Sequence, residues 1–164
     1  TERPGHLRLR TQPATDLANA RNTLTQRVQG PLSIGTATLE LPGLKDGTTA
    51  GLAIFQKPHT FVAVRQTEGR RAIVCCEKGT EVEARPLPEG LTRIWLRAYA
   101  TEHDFSARLA YSLNGKDFQP IGRTFTMKLG YPWTANRFAL FAFHDPSAKE
   151  AGVADFDAFD FIGR

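Results

Sequence analysis

Arg93, Trp95, Arg97 and Tyr99 occupy alternate positions, with Ile94, Leu96, Ala98 and Ala100 interleaved. In an extended strand this spacing sends the aliphatic set to a core face and the bases and aromatics to the opposite face. Such a row can recognise sugars. Pyranose rings stack their C–H faces on aromatic planes, and planar side chains such as Arg, Asn, Gln and Asp take the hydroxyls. The same residues also read as simple cover for a sheet, with arginine stems packed on aromatic rings.

The other reactive side chains are less patterned. Cys75 and Cys76 are adjacent, so in a strand they point to opposite faces and are poorly placed to bond each other. Two neighbouring cysteines are also too few for a zinc centre, which needs four spaced ligands. They read as free thiols. His6, His59, His103 and His144 fall in or near turns with no common spacing. No GxSxG elbow, HExxH helix or phosphate-binding loop occurs. Asp155, Asp157 and Asp160 alternate with aromatics near the end of the chain, as on a solvated strand face or in a set of metal ligands.

The elements that must position these residues are short strands. Residues 137–143 are apolar on both faces, as in a central strand, and 154–161 form a closing strand beyond a polar loop. Further strands are expected over 6–10, 22–29, 31–41, 50–56, 60–66, 72–78, 81–85, 93–100, 105–113, 118–121 and 124–127. Residues 16–20 read as one helical turn, and Asn114-Gly115 as a tight hairpin. In 31–41, Ala37, Leu39 and Leu41 face a core while Thr36, Thr38 and Glu40 face solvent. No amphipathic helix of useful length appears. Turn signals recur at roughly 8–12-residue spacing, which predicts an all-β, two-sheet antiparallel sandwich.

Length and composition fit that class. A chain of 164 residues suits one domain, 1–164. Its 41% hydrophobic and 23% charged content is that of a globular protein. The net charge of +4 comes from arginines spread along the chain, which argues against nucleic acid as a partner, because such proteins cluster their bases. No apolar run is long enough for a membrane-spanning helix, so no membrane partner is expected. The chain starts at Thr1 without a leader and reads as a piece of a longer protein.

Several segments in order carry a resemblance. They are PGHLRLR at 4–10, ARNTLTQR at 20–27, AGLAIFQ at 50–56, YSLNGKDFQPIG at 111–122, and RFALFAFHD at 137–145 followed by ADFDAFDF at 154–161. Together they resemble the C-terminal β-sandwich module of family 43 glycoside hydrolases, the β-xylosidases and α-L-arabinofuranosidases. The resemblance implies a concanavalin A-like jelly roll and a carbohydrate-binding or supporting role beside a catalytic propeller domain. Its implied substrate is a plant polysaccharide or oligosaccharide, xylan or arabinoxylan. The family pattern has one more strand before PGHLRLR, so this sequence is expected to start one edge strand short. Glycoside hydrolysis uses two carboxyl groups roughly 5–9.5 Å apart. Asp145, Asp155, Asp157, Asp160, Glu102 and Asp104 are the acids available, and no catalytic residue is expected among them. The binding candidates are Trp95, Arg97 and Tyr99, together with Trp133, Asn136 and Arg137 of the aromatic loop 131–137, which in the family leans toward the catalytic domain. That loop reads equally as a plug for one end of the sandwich. Sandwiches of this type often staple their termini with calcium, for which Asp155 and Asp157 are the candidate ligands.

Overall fold

The period-two patterning resolves into two sheets packed face to face in a computed structural model, which describes residues 2–128 and 135–163. The strands are β1 (Leu7–Arg10), β2 (Gln12–Pro13), β3 (Thr23–Arg27), β4 (Leu32–Glu40), β5 (Thr48–Phe55), β6 (Thr60–Thr67), β7 (Arg70–Glu77), β8 (Thr80–Pro86), β9 (Arg93–Thr101), β10 (Ser106–Ser112), β11 (Gln119–Thr126), β12 (Arg137–His144) and β13 (Val153–Gly163). A 3-10 turn, Leu17–Asn19, follows β2. The front sheet runs β1-β13-β4-β9-β10-β11. The back sheet runs β2-β12-β5-β6-β7-β8, with β3 also pairing with β12. Pairing is antiparallel throughout except for the short parallel contact of β2 with β12. The architecture is the expected all-β sandwich. Among the described residues no helix is long and apolar enough to cross a membrane.

Alternation along each strand builds the core between the sheets. Leu39, Ile94, Leu96, Leu109 and Ile121 come from the front, and Leu52, Ile54, Val62, Ile73 and Phe138 from the back. The last two strands divide between the sheets, β12 to the back and β13 to the front. Phe138 of β12 meets Phe159 and Phe161 of β13 across the interior, with ring centroids 6.4 and 6.0 Å apart. Gly35 of β4 lets this happen, because a Cβ there would sit 3.0 Å from the Phe138 ring.

Two local features differ from the sequence reading. Segments 118–121 and 124–127 belong to one strand, β11, interrupted by an irregularity where its register with β10 shifts between Ala107 and Leu109. Gly122, with φ of 71°, takes the backbone turn there that other residues resist. The Asn114-Gly115 connection is longer than a two-residue hairpin, since β10 ends at Ser112 and β11 begins at Gln119. The Asn114 side-chain oxygen accepts from the N–H groups of Lys116 and Asp117 and shapes this wider loop.

Candidate functional site

The outer face of the back sheet is paved by three rows. Phe143, Thr49, Arg65, Ala72 and Pro86 form the first; Phe141, Gly51, Ala63, Val74 and Ala84 the second; Ala139, Ala53, Phe61, Cys76 and Glu81 the third. Gly and Ala dominate the middle of these rows, so the face is low there and apolar. A second buried cluster forms on it, because the segment carrying the 3-10 turn crosses the sheet and lays Ala14 and Leu17 on Ala53, Phe61, Ala63, Phe141 and Phe143.

That strap is anchored by polar groups. The Asp16 carboxylate accepts from the Leu17 N–H at 2.7 Å, capping the turn, and lies 3.2 Å from His59 Nε2. His59 is buried and stacks on Phe61 at 6.2 Å between ring centroids. Upstream, the Thr11 hydroxyl donates to the Gly152 carbonyl and accepts from the Gly152 N–H. His144 Nδ1 lies 2.8 Å from the same oxygen.

The strap covers only part of the face. Beside it lies a cleft of about 880 Å³. Its floor is Thr49, Phe61, Val74, Cys76 and Phe143. One wall is Ala14, Thr15 and Asp16 of the strap, and the other comes from three loops around Lys45–Gly47, Gln66–Gly69 and Ser147–Glu150. Arg65 rises from the floor and pairs with Glu81 at 2.5 Å. Asp46 accepts from the Gly69 N–H at 2.8 Å and from Gln66 at 3.4 Å, tying two loops together. An apolar floor under a rim of carboxylate, guanidinium and amide groups can take a ligand with apolar faces and hydroxyl edges.

The outer face of the front sheet is different. Trp95, Arg97 and Tyr99 do share it, opposite Thr38, Thr36 and Ile34 of β4 and Ser112, Ala110 and Arg108 of β10. They are half-buried and engaged with their neighbours. The Arg97 guanidinium lies 3.5 Å from the Phe118 ring centroid, and its Nε donates to the Thr36 hydroxyl at 2.9 Å. Trp95 packs so closely on the Asn114-Gly115 turn that a Cβ on Gly115 would come within 2.9 Å of its ring. Arg108 sits 5.8 Å over Tyr99. Trp95 and Arg97 thus cover Thr38 and Thr36, and Arg93 covers Glu40, all buried although the alternation alone placed them in solvent.

The remaining sequence candidates are scattered. Trp133 lies outside the described residues. Asn136 Nδ2 donates to the Lys128 carbonyl, and Arg137 is exposed at the start of β12, near Thr25. Asp155 is buried under two arginines: Arg8 donates to both its oxygens at 2.7 and 2.8 Å, and Arg3 adds a bond at 2.6 Å. These hydrogen bonds outweigh burial and pull its pKa from 3.8 down to about 2. A carboxylate with both oxygens on guanidinium groups does not fit a calcium ligand. Asp157 is freer, 3.5 Å from His6 Nε2 and 3.3 Å from Arg93. Burial pushes the thiols of Cys75 and Cys76 up to about 12, so neither is a reactive thiolate. No sequence signal pointed to the back-sheet cleft, because its floor residues Thr49, Phe61, Val74, Cys76 and Phe143 look like those of any central strand.

Comparison with known proteins agrees with this architecture. Residues 1–162 match the family model described as the β-xylosidase C-terminal concanavalin A-like domain. A β-xylosidase of Formosa agariphila is 29% identical over 98% of this chain, which spans 30% of that relative's length. A bifunctional GH43-CE protein of Bacteroides eggerthii superposes with a TM-score of 0.92 at 32% identity, over 100% of this chain and 22% of that one. A GH43 glycoside hydrolase engineered to display both endo-xylanase and exo-arabinofuranosidase activity superposes at 0.84 with 25% identity, over 97% of this chain and 34% of that one. The chain belongs to the family of β-xylosidase C-terminal concanavalin A-like domains.

Proposed function

We propose that this chain is the accessory module of a hemicellulose-degrading glycoside hydrolase, packed beside a catalytic propeller domain and holding a xylan or arabinoxylan chain in its back-sheet cleft. The observation that carries the reading is the cleft, about 880 Å³ with an apolar floor and a hydrogen-bonding rim. Ligand sites run at roughly 300–1,000 Å³. Sugar C–H faces would meet the edges of Phe61 and Phe143 left uncovered, 4% and 8% exposed, while Arg65, Gln66 and Asp46 take hydroxyls. Cleavage belongs to the rest of the parent protein. Asp16, Asp145 and Asp155 are engaged in caps and ion pairs, a poor start for a working carboxyl pair.

A second reading, a docking module without sugar affinity, draws on a different observation. Leu32 and Ile162 are 38% and 49% exposed on the front sheet, next to Ile34 and Tyr99. A catalytic domain seated there would cover an apolar patch. Isothermal titration with xylo-oligosaccharides and arabinoxylan separates the two readings. Sugar binding predicts a saturable heat that Arg65→Ala weakens about tenfold, the loss of one charged hydrogen bond. Absence of saturable binding at millimolar sugar leaves the docking module.

A further inference from the structure

His6, Glu40 and Asp157 bring one nitrogen and two carboxylate oxygens to within 4.8 Å of one another on the front sheet. His6 precedes β1, Glu40 ends β4, and Asp157 lies in β13. Three features make this more than a chance meeting of acids. The first is the histidine. Its Nδ1 lies 3.2 Å from the Pro4 carbonyl, which can only accept, so Nδ1 is the donor of that contact and Nε2 is the nitrogen turned to the carboxylates. Among the described residues Nε2 is buried without a hydrogen-bond partner, 3.5 Å from Asp157 Oδ1. A backbone carbonyl behind Nδ1 is the outer-shell arrangement that orients metal-binding histidines.

The second feature is charge. Two carboxylates converge here on a single guanidinium. Arg93 holds Glu40 Oε1 at 2.5 Å and reaches Asp157 Oδ2 at 3.3 Å. Arg3 and Arg8 are turned to Asp155 instead. Among the described residues Arg93 is the guanidinium turned to both Glu40 and Asp157, and His6 Nε2 faces the Asp157 carboxylate. The third feature is the backbone. The register of β13 with β4 shifts between Phe156 and Ala158, leaving Asp157 as an extra residue outside the ladder. Bulges of this kind re-aim a side chain. Here the Asp157 carboxylate is aimed at His6 and Arg93.

We propose that His6, Glu40 and Asp157 bind one divalent transition-metal ion of the zinc type, with a water completing the coordination. Ligands about 2.0–2.2 Å from a tetrahedral ion stand about 3.3–3.6 Å apart, so small side-chain shifts close the set. The imidazole selects zinc-like ions over calcium, which prefers an all-oxygen shell. The ion clasps the segment ahead of β1 to β4 and β13.

The test is titration of the metal-stripped chain with zinc chloride and, separately, calcium chloride, read by calorimetry and by thermal denaturation. His6→Gln and Asp157→Asn are run alongside, with circular dichroism checking that each folds. The expected result is one zinc per chain, a raised melting temperature with zinc, and no saturable calcium heat. Either substitution then weakens zinc binding by at least about 100-fold, beyond what outer-shell changes cost. No saturable zinc binding, binding that neither substitution weakens, or calcium held as tightly as zinc overturns the proposal.

Discussion

On the front sheet, Trp95 and Arg97 lie down over Thr38, Thr36 and Ser112, and the Asn114-Gly115 turn and Phe118 close over them. On the back sheet, the corresponding positions are Gly51, Ala53, Ala63, Ala72 and Ala84, too small to cover anything. A strap from elsewhere in the chain covers part of that face, and a cleft lies beside it. The two faces differ in where open space remains. Large aromatic and basic residues in a row fill their own space and satisfy one another. Over Ala53 and Ala63 the strap's Ala14 and Leu17 fill the room that small residues leave, and the cleft opens beside them over Thr49, Phe61, Val74, Cys76 and Phe143.

The comparison can be broken first at the strap. Leu17 is fully buried on the back sheet. Leu17→Ala is expected to cost about 3 kcal/mol of stability, measured by urea denaturation, as for other buried leucines. A loss near zero would mean that the strap does not hold the face. Next in size is Asp155, whose two arginine partners close the edge of the front sheet. Asp155→Ala is expected to cost about 2 kcal/mol, the worth of charge-assisted hydrogen bonds at a buried acceptor. Its pH dependence has a definite sign. The folded-state pKa of about 2 lies below the ordinary 3.8, so the unfolded chain binds more protons. The stabilisation is full above about pH 5, declines through pH 4, and is gone below about pH 2. Melting curves of the parent and Asp155→Ala should therefore differ at neutral pH and converge in acid.

Smaller effects sharpen the contrast between the faces. Trp95→Ala removes a half-buried cover and is expected to cost about 1.5 kcal/mol by thermal or urea unfolding, with sugar affinity unchanged. Arg65→Ala should behave oppositely. Its ion pair with Glu81 is half exposed, so stability should change by less than about 0.5 kcal/mol while affinity falls. Were Trp95→Ala to abolish sugar binding, the two faces would have exchanged roles.

Much of the fold was legible because it rests on alternation. Residues 93–100 declared a core face, which β9 presents to the interior, and 50–56, apolar on both faces, reads as a central strand and lies inside the back sheet as β5. The split of β11 at Gly122 was not legible, since a glycine amid a strand pattern reads equally as a break or a bulge. The site was harder. The apolar outer side of AGLAIFQ reads as burial, and alternation cannot distinguish a face covered by a strap some thirty residues upstream from one left open. Trp95, Arg97 and Tyr99 have the residue types of a sugar platform, but their engagement depends on Thr36, Phe118 and Gly115, which only pairing brings near. Likewise, Asp157 was visible as a ligand type, whereas its companions His6 and Glu40 become neighbours only through the β1-β13-β4 order.

The most direct test of the account is amide chemical-shift mapping by NMR during titration with a xylo-oligosaccharide. The account predicts that shifts gather at the cleft, around residues 45–49, 65–69, 76–81 and 147–150, with 93–99 and 110–118 undisturbed. Shifts confined to the front sheet around Trp95 and Tyr99 would contradict it.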